Sequence, residues 1–487
     1  MDMLDLIIEK NYVRELNIVK KLLDVNDWLS ISELSKMNKV VLRTVIQDID
    51  SIKENLPKDW DIILKDSRVK IYKTAQSNYV HIYSTYLKKS FSYQVLRGFF
   101  VGKNNSLISL CNDLHVSHSH FYKKIQKVQM LLPKGVHFNL EKLCLEGDEI
   151  QIRFIYFNLI SVTDCITDFG FTETSFLCIE KNIKEVTESL KIELSDVGKK
   201  YCKYWIGICY KRNKNHVDIN KLVYRNPIES CLNKIYSSSS SIFENNMVGE
   251  SRMHSLGFYF QPIKYSGRAK NNFLNFYEKN FELFSLVEGI TKFLKKNKRK
   301  ENSQLKLYLV DIFMSDLILK NSPYFKKSSE KNNLDRLNQE LYSLLKDYFH
   351  KVEINEEVFV SDDKKERFLK GVVCFFNPLL TCLLQNEKIT IEVSLSQGIE
   401  IERKVVAKIN ALYTKWFCVC AYDSLKSKSL KKIDILVTDV GNVSSMRKEV
   451  LLWETPAIPL DWELLSIEIT NKLIDKLSER RNLIGQV

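Results

Sequence analysis

Arg43, Thr44 and Gln47 lie in a segment, Val40 to Glu54, whose Val41, Val45, Ile49 and Ile52 recur at helical spacing. The apolar four are expected to face inward. Arg43, Thr44, Gln47 and Asp48 fall between them and are expected to face outward. Arg, Thr and Gln are base-reading side chains: an Arg fork reaches guanine, a Gln amide reaches adenine, and the Thr methyl packs on thymine. Lys39, Lys53, Arg68 and Lys70 are placed nearby as cations for phosphates. A second set follows, Ser117, His118, Ser119, Tyr122, Lys123 and Lys124, with Gln126 on the same face. Metal chemistry is the competing use of His115, His118 and His120. No fourth ligand is evident, and positions 118 and 120 face about 200° apart on a helix. Cys418-Val-Cys420 puts two thiols on one face of a strand, which reads as buried packing rather than a metal or redox centre. No catalytic set, metal site or cofactor site emerges.

The elements that must carry these residues form a helix-turn-helix with a wing, Ile31 to Thr74. Ser32 is placed to cap a short helix, Asn38 marks the turn, and Pro57 ends the second helix. Trp60 to Leu64 and Val69 to Tyr72 are β-branched and aromatic, with Asp66-Ser67 between them, so a hairpin follows. Leu4 to Asp24 predicts a preceding helix with Leu6, Ile7, Val13, Leu16, Val19, Leu22 and Leu23 on one face. Tyr79 to Phe100 predicts an amphipathic helix leading to a second copy. There, Ser106 to Leu114 is a short helix, His115-Val116-Ser117 the turn, and His118 to Leu132 the longer helix closed by Pro133. Val136 to Leu145 is a strand pair turning near Glu141-Lys142. The repeat is one of architecture rather than identity.

The chain has 487 residues, too many for one hydrophobic core. Its net charge is +13, but the distribution says more: Lys39 to Lys127 holds 15 Lys or Arg against 7 Asp or Glu, densest where a polyanion would be read. Only 15 Gly and 8 Pro favour a mainly helical protein. The 11 Cys are scattered, which with no signal-peptide pattern suggests free thiols in the cytoplasm. No apolar run approaches the roughly 18 residues that span a bilayer, so no membrane role is expected.

Downstream, Ile150 to Ile160, Phe176 to Leu190, Lys200 to Tyr210 and Met253 to Phe260 read as helices, interrupted by the serine run after Tyr236. Phe273 to Lys295, Gln304 to Leu319, Leu334 to Phe349 and Asp363 to Leu384 form a second helical block; Lys292 to Lys300 is a solvated charge run. The last hundred residues alternate: strand Lys388 to Leu395, turn Ser396-Gln397-Gly398, helix Ile401 to Tyr413, strands Trp416 to Tyr422 and Ile433 to Thr438, and helix Leu464 to Glu479. That order predicts a small α/β domain with a parallel core. The expected domains are 1–77 and 78–150 (winged helix-turn-helix), 151–268 and 269–386 (all-helical), and 387–487 (α/β).

This order resembles the Mga/AtxA type of virulence transcription regulators that carry phosphotransferase-system regulation domains. The likeness is sharpest in Trp28 to Trp60, including Ser32-Glu33-Leu34, Arg43-Thr44-Val45 and Leu56-Pro57-Lys58-Asp59-Trp60. It continues in Asn105-Ser106-Leu107 through His115, and in Ser396-Gln397-Gly398 of a domain similar to the IIB component of sugar permeases. The resemblance implies a cytoplasmic activator of toxin or capsule genes, without enzymatic activity. It also implies binding to double-stranded promoter DNA, dimerisation through the C-terminal domain, work with RNA polymerase, and control by phosphorylation of a histidine in each helical block. The chain departs from that last pattern. Lys199 stands at the first histidine position and Phe375 or Phe376 at the second, and the IIB-like turn has no thiol. Competing readings are an RNA-binding antiterminator and a phosphocarrier of the sugar phosphotransferase system.

Overall fold

A computed structural model of the chain describes residues 6–294 apart from 26, 75–76, 103–105, 213–225, 239–249, 261–262 and 281–283. It also describes scattered helical positions between 303 and 369, and residues 388–485 apart from 418, 428–432, 441–448 and 455–456. Phe375, Phe376, Cys418 and most of the expected second helical block lie outside the described residues. Those described divide into two compact units, one ending at Phe276 and one beginning at Tyr277. The described part is mainly helical, with a helix-turn-helix pair at the front and a small sheet near the C-terminus.

The first winged fold comprises α1 (Lys10–Val25), β1 (Leu29–Ser30), α2 (Ile31–Asn38), α3 (Leu42–Asn55), β2 (Trp60–Lys65) and β3 (Arg68–Lys73). Its strands lie in the order β1-β3-β2, all antiparallel. The wing turns on Asp66 and Ser67, both at positive φ (49° and 58°), the pair of left-handed residues that a two-residue hairpin matching strand twist requires. The cap of α2 is Ser30, not Ser32. The Ser30 hydroxyl accepts from the Glu33 amide at 3.1 Å while the Glu33 carboxylate accepts from the Ser30 amide at 3.0 Å. The Ser30 amide, and its hydroxyl donating at 2.9 Å, hold the Glu33 carboxyl below the usual range.

The second winged fold repeats the helix-turn-helix of the first at the same residue spacing, followed by a shorter two-stranded hairpin. It contains α6 (Leu107–Asp113), α7 (His118–Leu131), β4 (Val136–Asn139) and β5 (Cys144–Gly147). Lys39 at the first turn and His115 at the second both adopt the left-handed conformation. Val40 donates to the Ser35 carbonyl at 3.1 Å, and Val116 to the Cys111 carbonyl at 3.0 Å. α3 and α7 each end at a leucine, in the identical tripeptides Leu56-Pro57-Lys58 and Leu132-Pro133-Lys134, and Trp60 and Val136 close the following turns by donating to the proline carbonyls. The second hairpin seats against its own entry: a Cβ on Gly147, at φ 121°, would lie 1.7 Å from the Gly135 carbonyl oxygen.

Between the copies, the single helix expected over Tyr79 to Phe100 is two, α4 (Tyr79–Lys89) and α5 (Phe91–Val101). Ser90 breaks it, extended at φ −68° and ψ 147°, its hydroxyl capping α5 through the Tyr93 amide. The N-terminal helix also starts later than its apolar pattern suggests. Residues 6–9 precede α1; Ile8 packs against the second fold's core of Phe91, Val95, Phe121, Ile125 and Val128. The Glu9 carboxylate accepts from the Phe91 amide at 3.2 Å.

Behind the winged folds, α8 (Glu149–Thr163) is buried on nearly every side, as a helix packed against α4, α5, β5 and α10 (Asp196–Arg212), itself backed by α9 (Glu173–Leu190), must be. Phe154 and Phe157 pack on Trp205 and Phe260. Its one basic side chain, Arg153, is fully buried and satisfied by Glu149 at 3.0 Å and by both Glu250 oxygens at 2.8 Å. Arg212 closes the other side of Glu149 at 2.6 Å. Burial opposes ionisation of Glu250, but His254 and Arg153 hold its carboxyl down to about 2. Burial pushes the neighbouring Cys209 thiol up to about 12 and lowers the His254 imidazole below its usual value.

In the second unit, four strands (Ile389–Ser394, Val419–Asp423, Ile435–Thr438 and Glu449–Leu452) form an all-parallel sheet. The first two to be joined by a helix are Ile389–Ser394 and Val419–Asp423, through Ile399–Phe417, and the long helix Pro459–Gly485 follows the sheet. The turn after the first strand is tied by carboxylates. The Ser396 amide and hydroxyl donate to Asp439 at 2.7 and 2.6 Å, and the Leu395 amide donates to Glu402 at 3.1 Å.

Candidate nucleic-acid interface

α3 is held from behind. Val45, Ile49 and Ile52 sink into the first winged core beside Leu16, Val19, Leu34 and Ile71. Asp48 goes with them and does not face outward: it is 4 % exposed and takes a bidentate pair from Arg14 of α1 at 2.5 and 2.6 Å. A carboxylate on the buried stripe needs such a partner, and the fork of Arg14 supplies it. Val41, expected inside, is instead the residue before the helix and is 69 % exposed.

What remains outward on α3 is Arg43, Gln47 and Asp50, with Thr44 at the edge and Val41, Leu42 and Ile46 among them. Leu42 and Ile46 were not expected in this role. Their signal is legible, since neither falls on the stripe through Val45, Ile49 and Ile52. Lys39 is exposed in the turn, Lys53 on the last turn of α3, and Arg68 at the wing tip. Lys70 is more engaged: its amine lies 3.8 Å from Asp27 and over the Tyr72 ring at 5.5 Å.

The same construction presents α7. Ser117 caps it, accepting from the His120 amide at 3.3 Å, with the Ser119 hydroxyl 3.3 Å away. His118, Ser119, Tyr122, Lys123 and Gln126 are all exposed. Lys124 is not in that row. It turns inward, half-buried, with its amine 3.4 Å from Glu9 and over the Phe91 ring at 5.1 Å. Among the described residues, His115, His118 and His120 belong to no group placed to hold a metal ion.

The arrangement thus offers two equivalent helices, each with an uncovered outer face and each followed by a hairpin. Each helix can lie in a major groove while cations at its ends and wing meet phosphates. Farther along the first unit, Lys199 is exposed on the first turn of α10, 3.5 Å from Asp196, and borders a shallow cleft with Lys184, Lys200 and Lys203. An ammonium group there cannot take a phosphoryl group as an imidazole does. No helix among the described residues is long and apolar enough to cross a membrane.

Residues 75–160 match the Mga helix-turn-helix domain family, a span that begins just before α4, contains the whole second winged fold and ends within α8. The chain is 27% identical over 224 residues to the capsule synthesis positive regulator AcpB of Bacillus anthracis, covering 45% of this chain and 46% of that protein. It is 23% identical over 278 residues to the capsule synthesis positive regulator AcpA of the same organism, covering 54% and 56%. A third relative, the anthrax toxin expression trans-acting positive regulator, is 26% identical over 155 residues, covering 31% and 32%. The chain therefore spans about half the length of the first two relatives and about a third of the last. This match and these relatives carry the resemblance to the Mga/AtxA type.

Proposed function

We propose that this chain, which carries an Mga helix-turn-helix domain, is a DNA-binding transcription regulator that activates its target genes from the cytoplasm. The observation that carries the reading is the pair of helix-turn-helix units built on the same spacing. α3 and α7 share turn geometry, length and terminating tripeptide, yet leave different polar outer faces uncovered. In this reading Arg43, Thr44 and Gln47 contact bases from the first helix, and Ser117, His118, Ser119, Tyr122 and Lys123 act from the second. Lys39, Lys53, Arg68 and Lys70 meet phosphates. The relatives are named as positive regulators of capsule synthesis and toxin expression, so the proposed targets are virulence genes of that kind. The domain order 1–77, 78–150, 151–268, 269–386 and 387–487, self-association through the last domain and recruitment of RNA polymerase belong to the same proposal.

Control by phosphotransfer is proposed to be degenerate. Lys199 holds a fixed positive charge beside Asp196, and Asp439 and Glu402 occupy amides of the IIB-like turn that an anion would otherwise use. Reporter transcription with Lys199→His and Lys199→Asp tests that part; equal output from both and from the parent chain defeats it. The main reading is tested by comparing retention of promoter-length duplex DNA and of hairpin RNA by the full chain, with Arg43→Ala and Lys123→Ala beside it. Duplex binding weakened by both substitutions supports the reading. Preference for RNA supports an antiterminator instead.

A further inference from the structure

The outer face of α3 is more apolar than its job in the fold demands. Val41, Leu42 and Ile46 are 69 %, 52 % and 39 % exposed. Leu42 and Ile46 are four apart and stack in one row on the helix surface. The second winged fold provides an internal control. The residues at the same places before and along α7 are Ser117, His118 and Tyr122, and they support the same turn and a helix of the same length, again followed by a hairpin. An apolar row is therefore no requirement of the architecture. It belongs to whatever α3 touches.

The rim of that row identifies the occupant. Lys36, Lys39 and Arg43 are exposed around the start of α3, Lys53 at its end and Arg68 on the wing. A cationic rim around an apolar centre complements a surface that is anionic at its edges and carries small apolar groups in its floor. The major groove of a thymine-containing duplex has that make-up: phosphates line both walls, and the thymine C5 methyl is the apolar group displayed on a base edge. We infer that Leu42 and Ile46 read thymine methyls, so that the first reader adds an apolar selection for A·T pairs, which the second reader lacks, to the hydrogen bonds of Arg43 and Gln47. This rests on the proposal that α3 enters a major groove.

The test uses the full chain and a random-sequence duplex pool. Duplexes retained by the chain are resynthesised with deoxyuridine in place of thymidine, which keeps pairing and removes only the methyl groups. The parent chain is expected to bind the deoxyuridine duplexes about fourfold more weakly for each methyl contacted. Leu42→Ala with Ile46→Ala is expected to shrink the ratio between the two forms to about fourfold or less, the share of the one methyl left to Thr44. His118→Ala lowers affinity but keeps the ratio between the two forms. Equal affinity of the parent chain for both forms overturns the inference and leaves duplex binding standing. A ratio left unchanged by loss of Leu42 and Ile46 overturns it too. So does unchanged duplex binding by the double variant coupled with loss of self-association, which makes the row a protein contact. A chain that retains no duplex at all overturns both this inference and the reading beneath it.

Discussion

Asp48 and Lys124 occupy the same position in α3 and α7 and carry opposite charge. Each turns away from the outer face toward the N-terminal part of the chain, where Arg14 meets the first and Glu9 the second. The first pair is closed off, with Asp48 4 % exposed; the second is open, with Lys124 26 % exposed. The two pairs should therefore differ in strength.

Asp48→Ala strands the Arg14 fork against a largely buried surface and is expected to cost about 3 kcal/mol. Lys124→Ala removes an open ion pair and is expected to cost under about 1 kcal/mol. Hydrogen exchange separates them: the first substitution should strip protection from α1 and α3, the second should leave α7 nearly as protected as before. Equal loss from both would show that the two pairs are equivalent after all.

Cations that touch only phosphate leave a signature in salt. Replacing Lys39, Lys53 or Arg68 singly by Ala should reduce the slope of log affinity against log salt by about 1 each and weaken all duplexes alike. Arg43→Ala should change which duplexes are preferred. Binding titrations across a range of salt concentrations measure both, and an unchanged slope for all three removes them from the interface.

Gly147 is fixed by space as well as by φ. Gly147→Ala places a methyl into the Gly135 carbonyl, so the second hairpin must open. The expected result is loss of exchange protection in β4 and β5 together with weakened duplex binding. Gly102→Ala, also at positive φ but with nothing within 4 Å, should disturb only its own turn.

Acid should loosen the first helical block. Burial lowers the folded pKa of His254 below its unfolded value, so between the two the unfolded chain binds more protons and stability falls as pH drops through about 6.5. Glu250 acts in the same direction lower down, its contribution being lost from about 4.5 toward 2. Melting temperature measured from pH 7.5 to pH 5 should decline for the parent chain and decline less for His254→Gln. A flat profile for the parent chain would show that His254 titrates alike folded and unfolded.

Much of this was legible from local pattern. The apolar stripes placed α3 and α7, the two prolines ended them, and Asp66-Ser67 marked the first wing. What escaped depends on partners far along the chain. Asp48 reads as an outward polar residue until Arg14 is brought beside it. Lys124 reads as part of the second outer face until Glu9 is brought beside it from the N-terminal end of the chain. Ser90 could have been recognised as a cap, but the apolar pattern runs through it without a break because both α4 and α5 pack on the same neighbours. The apolar row at Leu42 and Ile46 was visible as a departure from the stripe, yet only exposure distinguishes a reading face from a second buried one. In the helical block, Lys199 was placed by resemblance, and its neighbourhood of lysines and Asp196 is a feature of the folded surface that spacing does not reveal.

Ile8 and Glu9 belong in sequence to the first winged fold but pack against the second. The spacing between the two readers is therefore set by protein packing and not by a slack tether. On DNA this makes the chain a ruler with a fixed phase. Half a helical turn inserted between its two subsites, about five base pairs, would carry one of them to the far side of the duplex. A full turn would restore the facing but not the distance.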